Sequence, residues 1–132
     1  MDTSRTPSTA AARTSVGARG EDVAAAYLVA QGLEVVARNW RQTTGEVRGE
    51  LDLVALDHGT ATVVVCEVKT RRSDRFGGPL AAVTPRKQAQ IRALTVAFLR
   101  AGELPYRTVR FDVVGIRLDA VPPLVKHVAA AF

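Results

Sequence analysis

Cysteine is nearly absent from this chain: Cys66 is the only one in 132 residues. No disulfide can close within the chain, and one thiol with two histidines cannot build a thiolate zinc site. Set in Val63-Val64-Val65-Cys66-Glu67-Val68, the thiol reads as a small core side chain, and the composition suits a reducing cytoplasm. Aromatic residues make up only 5%, too few for a platform on which single-stranded bases stack. No apolar run approaches the roughly 18 residues needed to span a bilayer. Histidine is limited to His58, in a turn signal, and His127, near the end, which fits chemistry that needs no histidine. Acids are the minority, 13 against 18 Lys plus Arg, which leaves a net charge of +5. That balance favours a polyanionic partner, nucleic acid before an anionic membrane.

What is present is enough for one compact domain with a core. Residues 1–15 are, after Met1 and Asp2, all Thr, Ser, Ala, Arg and Pro, with no apolar run to act as a secretory signal. They read as a disordered basic tail ahead of a domain over residues 16–132. Residues 18–31 carry Glu21, Ala25 and Leu28 at helical spacing with Ala24 between, and Gly32 stops the helix. Residues 33–38 read as a strand and 39–48 as a polar loop. Residues 51–56 and 61–70 are rich in Val and Leu around Asp57-His58-Gly59-Thr60, a hairpin signal. Residues 73–80 read as a loop. Thr84-Pro85 then caps a helix reaching about residue 100, with Ile91, Leu94 and Phe98 as its stripe. Residues 109–116 form another strand and 125–128 a short last one. The fold expected is α/β, a mixed central sheet flanked by helices.

The chemistry concentrates in two strands. Asp52 lies in Gly49-Glu50-Leu51-Asp52-Leu53, and Glu67 and Lys69 lie in Glu67-Val68-Lys69. Charges on apolar strands are costly unless they pair or hold an ion. Period-two alternation puts Glu67 and Lys69 on one face, roughly 7 Å apart. A hairpin loop of two residues pairs Asp52 with Val65, and one of four pairs it with Glu67; either places the two carboxylates together. They repel unless an ion or a cation intervenes. One reading is a structural ion-pair cluster. The other is a Mg²⁺ or Mn²⁺ site beside a phosphodiester, with Lys69 orienting water or offsetting phosphate charge. Glu21 reads either as a first-turn acid favoured by the helix dipole or as an acid aimed into a site. Glu50 alternates onto the Asp52 face and reads either as a further ligand or, more simply, as a solvated strand entry. Arg110 and Asp112 share a strand side, which suits a salt bridge. Lys87 shares the Ile91 face, either snorkelling outward or reaching a phosphate. Lys69, Arg71, Arg72 and Arg75 form a basic run that would contact phosphates if the site is real. Trp40 is expected at the edge of the core.

Over roughly residues 16–116 the chain resembles the YraN-type bacterial family of small uncharacterised proteins. That family is itself similar to the PD-(D/E)xK, or restriction-endonuclease-like, nucleases and to archaeal Holliday-junction resolvases. The resemblance rests on Gly20-Glu21, Arg38-Asn39-Trp40, Gly49-Glu50-Leu51-Asp52-Leu53, Glu67-Val68-Lys69, Phe76-Gly77, Lys87 and Arg110-Phe111-Asp112. The approach Thr43-Thr44-Gly45-Glu46-Val47-Arg48 is longer than the family's. The resemblance implies a restriction-endonuclease-like fold, Asp52 and Glu67 as metal ligands, Lys69 as the catalytic lysine and Glu21 as an auxiliary acid. It implies a metal-dependent nuclease acting on structured DNA such as branched junctions, where cutting needs two sites and hence a homodimer. The competing readings are a non-catalytic nucleic-acid-binding module of the same fold and a protein-interaction adaptor.

Overall fold

Alanine-rich sequence propagates helix well, and the first helix begins earlier than expected. The computed structural model describes the backbone over residues 9–71 and 83–132, with side chains from residue 15 onward within those segments. Helix α1 runs Thr9–Ala30, so the Thr-Ala-Ala-Ala-Arg stretch from Thr9 belongs to the helix; the rest of the expected tail, residues 1–8, lies outside the described residues. So do the loop over 73–80 and, with it, Arg72, Arg75 and Phe76-Gly77. The helix ends at Gly32, whose φ of +92° suits glycine alone among common residues, with Leu33 N donating back to the Leu28 carbonyl at 3.0 Å.

Strands β1 (Glu34–Gln42), β2 (Gly49–Asp57) and β3 (Thr62–Arg71) form an antiparallel meander. Helix α2 (Pro85–Ala101) then returns the chain to β4 (Thr108–Arg117), which lies parallel to β3, and β5 (Leu124–Val128) closes the far edge antiparallel to β4. The sheet order is β1-β2-β3-β4-β5. Thr84 caps α2 as its composition predicts: its Oγ1 accepts from Lys87 N at 3.1 Å, and Pro85 supplies the first turn. One helix covers each face. Leu51, Val54, Val63 and Val65 pack with Ile91 and Leu94 of α2. Leu53, Ala55, Val64 and Cys66 pack with Ala24 and Leu28 of α1. The result is a single α/β domain with a mixed sheet flanked by helices, consistent with a restriction-endonuclease-like fold.

Helix α1 can lie close to β3 because residue 20 is glycine. A Cβ there would sit 1.9 Å from Thr70 Oγ1 and 2.7 Å from its Cγ2, and the Thr70 hydroxyl is itself buried without a partner among the described residues. Gly17, one turn earlier, has open space where its Cβ would be. The two glycines therefore predict opposite outcomes. Gly17→Ala should stabilise by roughly 0.5–1 kcal/mol through helix propensity. Gly20→Ala should destabilise by about 1–3 kcal/mol through overpacking. Urea unfolding of both variants reads the difference, and equal effects would refute close approach at Gly20.

Candidate functional site

The β2–β3 register runs from Asp57↔Thr62 to Leu53↔Cys66, so the hairpin loop has four residues and the next step puts Asp52 opposite Glu67. There the pattern of β2 slips. Leu51 and Val54 both pack on the α2 side while Leu53 and Ala55 pack on the α1 side, and Asp52 falls within the break. Its Oδ2 accepts from Val68 N at 2.9 Å, so the carboxylate takes the place of a ladder partner. On the other side of β2, the pairs Arg38↔Leu53 and Trp40↔Leu51 leave Asn39 opposite Asp52.

Three elements bring acids together here. One oxygen from each of Glu21 on α1, Glu50 and Asp52 lies within 4.8 Å of the other two. Glu67 on β3 completes the group through its direct interaction with Asp52, and its Oε2 stands 3.9 Å from Lys87 Nζ of α2. Lys87 thus turns toward the acids. Lys69 follows Glu67 on β3, half-buried. Glu21 is not a first-turn residue, because α1 begins twelve positions earlier at Thr9; the helix-dipole explanation falls, and its place is set by packing over β2 and β3. Arg71 ends β3, with its Nε buried and without a hydrogen-bond partner among the described residues.

The electrostatics record the crowding. Burial, then the charge of Glu67, push the Asp52 carboxyl up to about 7 against the opposing hydrogen bond from Val68. Burial also raises Glu21; the Asn39 hydrogen bond lowers it, and Asp52 and Glu50 push it back up. Asn39 was not among the sequence candidates. It sits within β1 rather than in a loop, with φ of 51°, and its Nδ2 donates to Glu21 Oε1 at 2.9 Å and to Glu50 Oε2 at 2.8 Å. Arg41, paired across the strands with Glu50, donates from Nε to Glu50 Oε1 at 2.7 Å. Glu50 is therefore part of the cluster and not a solvated strand entry. A cleft of about 230 Å³ opens onto this group, lined by Gly17, Ala18, Glu21, Asn39, Arg41 and Glu50.

Two other singled-out residues lie elsewhere. Asp112 is wholly buried on β4, held by Arg110 through two 2.9 Å hydrogen bonds, by His127 Nε2 at 2.7 Å and by Ala130 N at 2.9 Å. Cys66 is buried, and its thiol is pushed far up, first by that burial and then by the Asp112 charge, which suits an unreactive core residue. Trp40 stacks edge-on against Phe98 of α2, with centroids 5.4 Å apart.

The set has the donor chemistry of a hard divalent cation site: carboxylate oxygens, no sulfur or imidazole, and a like charge that helps raise Asp52. Among the described residues, no helix is long and apolar enough to cross a membrane. The model of the Uncharacterised protein family UPF0102 matches residues 20–116, which includes Glu21, Asn39, Glu50, Asp52, Glu67, Lys69 and Lys87. Over 118 residues the chain is 45% identical to a UPF0102 protein of Mycolicibacterium smegmatis, covering 89% of this chain and 92% of that one. It is 45% identical over 135 residues to one from Acidothermus cellulolyticus, covering 94% and 98%. It is 46% identical over 119 residues to one from Rhodococcus jostii, covering 89% and 96%. Matched along nearly its whole length by such relatives, the chain belongs to the UPF0102 family.

Proposed function

We propose that this protein is a metal-dependent nuclease that hydrolyses phosphodiesters of structured DNA, branched junctions among them, in the cytoplasm. One observation carries the reading: acids from α1, β2 and β3 converge where β2 breaks its alternation, and Asp52 is pushed up to about 7 by burial and by Glu67. Arg41 pairs with Glu50 and Lys87 approaches Glu67, while Asp52 faces Glu67 and Glu21 across the group.

Asp52 and Glu67 would hold Mg²⁺ or Mn²⁺, with Glu21 as an auxiliary acid from the helix. When bound, the cation polarises a phosphoryl oxygen and lowers the pKa of a water. Lys69 orients that water or offsets charge developing on the phosphate. Lys87, across from Glu67, is a second cation for the scissile region once the carboxylates are neutralised. Lys69, Arg71, Arg72 and Arg75 extend a phosphate-contacting flank, so recognition rests on backbone and shape rather than on bases. Cutting both strands of a junction would take two such sites and hence a homodimer.

The test is cleavage of labelled duplex, single-stranded, flap and four-way-junction DNAs with Mg²⁺ or Mn²⁺, beside Glu67→Ala. The expected result is cleavage of a branched substrate by the wild-type protein and none by the variant. Salt-sensitive binding by both with cleavage by neither would move the assignment to a non-catalytic nucleic-acid-binding module.

A further inference from the structure

The acids do not converge by themselves. Glu21 comes from a helix and Glu50 from a strand, and two carboxylates brought that close repel. One side chain joins them. The Asn39 amide nitrogen has two hydrogens, and its two acceptors are Glu21 Oε1 at 2.9 Å and Glu50 Oε2 at 2.8 Å. Its backbone is in the left-handed region, φ 51°, which Asn tolerates better than most residues. That twist within β1 accompanies an amide turned toward α1, while the next residue, Trp40, packs on α2.

The donors also sort the carboxylates. Both oxygens of Glu50 are engaged, one by Asn39 and one by Arg41 Nε. Asn39 engages only one oxygen of Glu21, and Val68 only one of Asp52. Taking the nuclease reading as its basis, we infer that Asn39 is a positioning residue of the ion site: anchored on Glu50 and Arg41, it holds Glu21 with one oxygen presented toward Asp52. Glu50 is then the anchor of the clamp and not itself a ligand.

Asn39→Gly is the informative variant, because glycine keeps the left-handed backbone and removes only the amide. Two measurements decide the matter. In metal-free protein, urea unfolding of Asn39→Gly, Glu21→Gln and the double variant should show coupling, since one clamp is broken twice. In Mn²⁺ titration calorimetry, Asn39→Gly should bind at least about tenfold more weakly than wild type, the scale of losing a group that orients metal ligands. Glu50→Gln should bind Mn²⁺ more tightly than Glu21→Gln does, because it keeps an oxygen for Asn39. Wild-type affinity in Asn39→Gly, or additive stabilities, would overturn the clamp while leaving the nuclease reading standing. A wild-type protein that binds no Mn²⁺ would overturn that reading and, with it, any role for the clamp in holding an ion.

Discussion

Asp52→Asn should make the metal-free protein more stable at pH 8 and abolish its stabilisation by Mg²⁺. Asp52 is held among acids: burial and the facing charge of Glu67 push its carboxyl from an ordinary 3.8 to about 7. Keeping it ionised above that pH therefore costs folding free energy. At roughly 1.4 kcal/mol per pH unit, the displacement of Asp52 corresponds to at most about 4 kcal/mol. The amide that replaces the carboxylate keeps an oxygen for Val68 N, whose hydrogen bond is 2.9 Å in the wild type. It also offers Glu67 a donor in place of a like charge.

The pH dependence has a definite sign. Between about 3.8 and 7 the folded protein holds a proton at this site that the unfolded chain has released. Stability therefore falls as pH rises through that window and is level, for this group, on either side. Denaturation curves from pH 4 to 8 should show a wild-type decline that the variant lacks, so that the two cross or diverge as pH rises. At pH 8, Mg²⁺ should restore the wild-type protein by binding the folded state and should leave the variant unmoved. A metal-free variant less stable than wild type at pH 8 would show that the carboxylate was a favourable structural ion partner.

Much of this site could be read before the fold was seen, for physical reasons that differ by residue. Val and Leu in β2 and β3 left little choice of element, and period two then tied Asp52 to Glu67 once the loop was even. The register Asp57↔Thr62 sets that loop at four residues, and regular pairing runs to Leu53↔Cys66, one step short of Asp52 and Glu67. Helical spacing puts Lys87 on the Ile91 face, and its Nζ stands 3.9 Å from Glu67 Oε2, a partner the spacing does not name. Asn39 and Glu50 were harder. β1 is an edge strand with one partner and a half-exposed pattern, so it carries no clean alternation, and its polar end read as a loop from residue 39. The usable signal was an asparagine between Arg38 and Trp40, a residue suited to left-handed backbone. The start of α1 is hard to read because residues 9–15 carry no apolar stripe in the sequence; the first buried positions among the described side chains are Gly20 and Ala24. His127 could not be assigned to Asp112 from sequence, because only the pairing of β5 with β4 brings them together.

That last group gives the second large effect, opposite in sign. Asp112 is 0% exposed, and Arg110, whose side chain is 34% exposed, covers it. A carboxylate only accepts, so His127 Nε2 donates to Asp112, and His127 Nδ1 forms a hydrogen bond with the Tyr27 hydroxyl 3.1 Å away. One acid thereby ties β4, β5 and α1. Burial pushes its carboxyl up, but Arg110, Ala130 N and His127 outweigh that and hold it below its ordinary 3.8. Its stability contribution is therefore present above that pH and lost as pH falls through the lower folded value. Asp112→Ala removes the acceptor and leaves four donor nitrogens, from Arg110, His127 and Ala130, facing a cavity. Breaking a buried pair from one side costs about 3–5 kcal/mol, and the partial exposure of Arg110 places this case near about 3. Asp112→Asn should also destabilise, since its amide turns a donor toward Arg110 or His127. Two aspartates of one sheet, on β2 and β4 with β3 between them, thus answer the same substitution in opposite directions at pH 8. Asp112, surrounded by donors, loses stability as asparagine, whereas Asp52, surrounded by acids, gains it. Unfolding both variants side by side checks this, and destabilisation of both would reduce the acidic cluster to a second structural network.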